Sequence, residues 1–116
     1  MKVDINNILE VFLKDSKAIS ILIVNNSGEI INSIHDNENE IMTAMCKAIQ
    51  SMSEKFIENF EFGNYKQNII KTDKNMIFIT AINNELNSIV ITPVSTNLGI
   101  ITHNIERLSK DILEIK

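Results

Sequence analysis

Residues 65–93 read YKQNIIKTDKNMIFITAINNELNSIVITP. Three runs rich in β-branched residues stand here, about Tyr65–Thr72, Asn75–Ile82 and Asn87–Thr92, and such residues favour extended backbone. Only Asp73-Lys74 and Asn83-Asn84-Glu85 separate them. A parallel crossover needs a dozen or more residues, so these connections predict an antiparallel meander. Pro93 offers no ladder N–H and is expected to end the last strand.

Upstream, Ala18-Ile19-Ser20-Ile21-Leu22-Ile23-Val24 is too short and too β-branched to prefer helix. Asn25-Asn26-Ser27-Gly28 supplies residues that tolerate positive φ, and Glu29–Ile34 returns as a second strand, which makes a hairpin. Helical spacing marks three further segments. The first covers about Asp4–Lys14, with Ile5, Ile8, Leu9 and Phe12 on one face. The second starts at a capping box formed by Asn37 and Glu40, with Asp36 and Glu38 adding negative charge at the helix start, and runs to about Phe60, before Gly63. The third starts near Thr96 or Asn97 and continues to the end of the sequence. The order αββαβββα predicts a single α+β domain over residues 1–116, without repeat or linker.

Composition narrows the partners. The 116 residues are 44% hydrophobic but only 5% aromatic, with no Trp, so the core must be aliphatic. The single Cys46 has no internal disulfide partner. Net charge is −4 and the sole arginine is Arg107, so no basic stripe is present to neutralise phosphates. Nucleic acid and membrane insertion are therefore not expected. The N-terminus lacks a signal-peptide pattern, no run reaches the roughly 18 apolar residues of a membrane span, and a cytoplasmic location is expected.

Strand patterning predicts the layers. The first, fourth and fifth strands are nearly continuous apolar runs, which calls for cover on both faces of the sheet. The second and third strands are more polar and read as edges, the third guarded by lysines or open to a partner strand. Helix three carries one narrow stripe, Ile101, Ile105, Leu108, Ile112 and Ile115. Helix two is different. At about 100° per residue, its apolar side chains spread over roughly 220°, more than one sheet can cover. Either this helix lies deeper in the core, or the flank carrying Met42, Cys46, Ile49, Ile57 and Phe60 meets a second partner, most simply the same helix of a second subunit.

Catalytic constellations are missing. Gly28, Gly63 and Gly99 are too scattered for a phosphate-binding loop, and His35 and His103 stand without Cys or His at ligand spacing. Cys46, within the apolar arc, reads as an inert buried thiol. Asp36, Glu38 and Glu40 read as helix-start charges, and Arg107 as a solvated residue. No catalytic residue, metal or cofactor is expected.

The element order, the hairpin Ile21–Ile31 around its Ser-Gly turn, and the helix opening Asn97-Leu98-Gly99-Ile100-Ile101 together resemble the Roadblock/dynein light-chain family over nearly the whole chain. The resemblance implies a five-stranded antiparallel sheet with the second helix on one face and the first and third on the other. It also implies a homodimer in which third strands pair edge to edge and second helices pack together. The interface is thus expected at Met42, Cys46, Ile49, Ile57 and Phe60 of the helix and at Lys66, Asn68 and Ile70 of the strand. Family members in prokaryotes commonly accompany Ras-like small GTPases, so the resemblance implies a non-catalytic regulator or scaffold docked on such a GTPase. Two other classes compete: a sensory module holding a small ligand, for which scattered Asn, Ser and Thr would have to converge in space, and a structural adaptor subunit.

Overall fold

The computed structural model describes residues 4–34 and 40–115. Its elements are α1 (Ile5–Ser16), β1 (Ser20–Asn25), β2 (Ile30–Ile34), α2 (Glu40–Asn59), β3 (Gln67–Lys71), β4 (Asn75–Ala81), β5 (Leu86–Pro93) and α3 (Leu98–Ile115). This is the αββαβββα order the sequence predicts. The capping box at Asn37, with His35, Asp36 and Glu38, lies outside the described residues.

Local chemistry sets the boundaries. Asp4 caps α1 by accepting from the Asn6 N–H at 3.3 Å, and Lys17 ends it in the left-handed conformation at φ 57°. In the first hairpin the Asn25 carboxamide oxygen accepts from both Ser27 and Glu29 N–H groups, and Gly28 takes φ 84°. Asn97 caps α3 through its side chain, which accepts from Ile100 N–H at 2.9 Å. Pro93 closes β5 as its last paired residue, opposite Asn75.

The five strands form one sheet in the order β2-β1-β5-β4-β3, with every neighbouring pair antiparallel. The two polar strands are therefore its edges, as their composition predicts. The three apolar strands occupy the middle and alternate their side chains between two faces. On one face Ile21, Ile23, Phe78 and Val90 pack with Leu9, Phe12 and Leu13 of α1 and with Ile101, Ile105, Leu108 and Ile112 of α3. On the other, Leu22, Val24, Ile79 and Ile89 pack against Cys46 of α2.

The two layers are unequal. Among the described residues, fourteen buried hydrophobic residues form the core beneath α1 and α3 and five form the one beneath α2. Since apolar burial supplies most of the stabilisation, α2 is the less firmly held helix of the chain. Among the described residues, no helix is long and apolar enough to cross a membrane.

Candidate interaction surface

The phase of α2 on the sheet decides what the protein shows to a partner. Thr43, Cys46 and Gln50 are buried, at a spacing that puts them on one side of the helix. They face polar as well as apolar strand residues. Gln50 Nε2 donates to Asn87 Oδ1 on β5 at 2.9 Å, a bond between two buried side chains. Met42 packs against the apolar cluster around Cys46, and Ser53 and Ile57 are half-buried on the same side. Burial pushes the Cys46 thiol above its ordinary pKa, which makes it a poor nucleophile.

Turned away from the sheet is a narrow apolar stripe. Ile41 is 75% exposed, Met52 76% and Ile49 37%, and Met45 and Phe56 are also exposed. At 100° per residue these five side chains fall within about 80° of the helix circumference. Phe60 and Phe62 extend the stripe past the helix end. Phe56, Phe60 and Phe62 have ring centroids 5.5 to 6.1 Å apart and form an exposed aromatic cluster. Backbone geometry builds it: Phe62 N–H reaches Ile57 carbonyl at 3.0 Å and Glu61 N–H reaches Glu58 carbonyl at 3.3 Å, with Glu61 at φ 53°. That is a Schellman termination, which brings the residue after the left-handed position back onto the last helical turn.

The phase of α2 divides the flank expected at the interface. Cys46 lies in the core of its own chain, Met42 packs beside it, and Ile57 is half-buried toward the sheet. Only Ile49 and Phe60 of that set are exposed. Thr43 and Gln50 also lie in the buried sector, Gln50 bonded to Asn87 of the sheet, and the apolar excess rotates outward. The usable signal was the run Ile41, Met45, Met52, Phe56, at spacings of four, seven and four residues.

Beside α2 lies the free edge of β3. Thr72 N–H donates to Asn75 carbonyl, and Ala81 N–H donates to Lys66 carbonyl. In the antiparallel register that links them, Lys66, Asn68, Ile70 and Thr72 exchange their backbone groups with β4. Gln67, Ile69 and Lys71 therefore direct N–H and C=O groups to the open edge. The backbones of Lys66, Asn68 and Ile70, expected at the interface, turn inward to β4. Ile69, 44% exposed, marks the centre of the edge.

A hydrogen-bond chain fastens that edge to α2. Asn68 Nδ2 donates to Ser53 Oγ at 2.8 Å, and the Tyr65 hydroxyl lies 2.7 Å from Asn68 Oδ1 and 3.0 Å from Ile79 carbonyl. Burial, with the nearby Glu54 carboxylate, pushes the Tyr65 phenol well above its ordinary range, so it stays a donor. These bonds fix the strand edge to the helix that carries the stripe. Elsewhere, His103 and Arg107 are exposed, and no group of three or more potential metal ligands occurs among the described residues.

Comparison with known proteins agrees with this architecture. The family model described as Roadblock/LC7 domain matches residues 4–92. Among solved structures, Myxococcus xanthus MglB superposes with a TM-score of 0.88 at 18% identity, covering 96% of this chain and 93% of that one. A Roadblock/LC7 domain from Streptomyces avermitilis gives 0.87 at 12% identity, over 98% and 97% of the two chains. The gliding protein MglB from Thermus thermophilus gives 0.84 at 9% identity, over 96% and 87%. No curated protein matches by sequence.

Proposed function

The chain belongs to the Roadblock/LC7 family, and from that premise we propose that it is a non-catalytic homodimer in the cytoplasm that docks onto a Ras-like small GTPase and modulates its nucleotide cycle. Prokaryotic members of the family commonly accompany such GTPases. The observation that carries the reading is the exposed stripe of α2 lying beside the open edge of β3.

Each part has a physical incentive to be covered. Full burial of one Met, Ile or Phe side chain is worth about 1.5–3 kcal/mol, and the stripe offers several. An unpaired strand edge is a template for another strand, and two copies related by a two-fold axis satisfy both demands at once. The proposed interface therefore comprises Ile41, Met45, Ile49, Met52 and Phe56 on the helix and Gln67, Ile69 and Lys71 on the strand. The aromatic cluster of Phe56, Phe60 and Phe62 sits at one end of this stripe, where it can face the GTPase. A dimer docked there acts by shifting the GTPase's own switch segments between states, which requires no catalytic side chain from this chain.

The test is a pull-down from the native organism's lysate, run in parallel with GDP and with a non-hydrolysable GTP analogue. Preferential retention of a small GTPase in one nucleotide state is the expected result. Recovery of a complex without a GTPase, equal in both lanes, supports the adaptor reading instead.

A further inference from the structure

On the α2 side of the sheet, at the end where the β1–β2 and β4–β5 turns meet, lies a cleft of about 570 Å³. Six carboxamides line it: Asn26, Gln50, Asn64, Asn83, Asn84 and Asn87. In the sequence these residues are scattered over four separate segments. The fold gathers them, with the Asn26 carboxamide donating to the Asn84 carbonyl to tie the two turns together.

Asn87 is 1% exposed; its Oδ1 accepts from Gln50, while its Nδ2 has no hydrogen-bond partner among the described residues. A buried donor left unsatisfied is costly, and in a cleft wall it calls for an oxygen acceptor. Lys47 and Glu54 line the same cleft. Seven residues apart on α2, they share one helix face and bracket Gln50. Their charges cancel, so the cleft as a whole does not favour a polyanion such as a nucleotide. It presents one cation, one anion and several groups that both donate and accept.

We infer that this cleft binds a small zwitterionic ligand of the free α-amino-acid class. Lys47 and the carboxamide N–H groups take the carboxylate. Glu54 and the carboxamide oxygens take the ammonium. The site is separate from the exposed stripe and does not depend on the GTPase reading. Ligand occupancy would brace α2 against the two turns, the helix that the smaller core holds least firmly.

The experiment is thermal unfolding of the full chain with each proteinogenic L-amino acid at about 10 mM, where a ligand of millimolar or better affinity raises the midpoint in a saturable way. N-acetyl amino-acid amides, which lack both charges, and glucose serve as controls. At least one free amino acid is expected to shift the midpoint, its blocked derivative is not, and Lys47→Gln and Glu54→Gln should each weaken binding about tenfold or more. Both positions lie away from the proposed dimer stripe, so light scattering should show an unchanged mass. Absence of any saturable shift would mean the carboxamides are met by solvent alone, and the proposal fails. Equal response to the blocked derivatives or to glucose, or full affinity in both variants, also overturns it. None of these outcomes touches the nucleotide-dependent pull-down.

Discussion

At the scale of single residues, left-handed positions show where local chemistry yields to tertiary need. Glu61 sits at φ 53° as the residue that turns the chain out of α2, a place glycine fills without steric cost. Its side chain is exposed, so it buries no apolar surface that would offset the strain. Glu61→Gly should therefore stabilise the protein by about 0.5–1 kcal/mol, read as a higher urea midpoint at unchanged slope. A lower midpoint would show that the gain in unfolded-chain entropy outweighs the relieved strain. Gln50 and Asn87 teach the converse. Nothing in either local sequence distinguishes a buried carboxamide from an exposed one, and their mutual hydrogen bond across two elements offsets part of the cost of burial.

At the scale of elements, α2 and β3 carry the predictions about association. Met52 is exposed in the single chain, so Met52→Glu should leave the fold intact and shift the mass in light scattering from dimer to monomer. Cys46→Glu, by contrast, places a charge in the core and should unfold the chain. A Met52→Glu protein that keeps the dimer mass would move the interface off this stripe. Strand parity gives a second pair. Ile69→Pro removes an N–H directed at the open edge and should weaken pairing between copies while preserving the monomer. Ile70→Pro removes a donor used within the sheet and should cost about 1–3 kcal/mol of monomer stability, measured by urea unfolding. If the two variants behave alike, the parity assigned to β3 is wrong. The edge itself was legible from the polar run between Lys66 and Lys71. Which alternate residues face outward was not, because the parity of an antiparallel ladder is fixed by its hairpin turn, and that turn closes with Thr72 bonded to Asn75.

At the scale of the whole molecule, the unequal layers would couple folding to the proposed association. The larger core joins α1, α3 and the sheet, while α2 rests on a small cluster and a few polar bonds. A partner covering the outer stripe of α2 adds the burial that this helix lacks. Amide hydrogen exchange in α2 should therefore slow as protein concentration rises, whereas α1 and α3 should be protected equally at all concentrations. Protection of α2 that matches α3 in dilute solution would show that the single chain already holds it.

The element order, the antiparallel meander, the two polar edges and the excess of apolar surface on the second helix are all legible in the residues. Those features follow from chain-local causes: β-branched runs, connection lengths, turn residues and side-chain periodicity. Packing between elements sets how α2 is rotated on the sheet, which backbone groups of β3 remain free, and that six distant carboxamides share one cleft. Each of these depends on what a neighbouring element presents. A helix with apolar residues over more than half its circumference has no unique buried side until a sheet carrying Asn87 selects one.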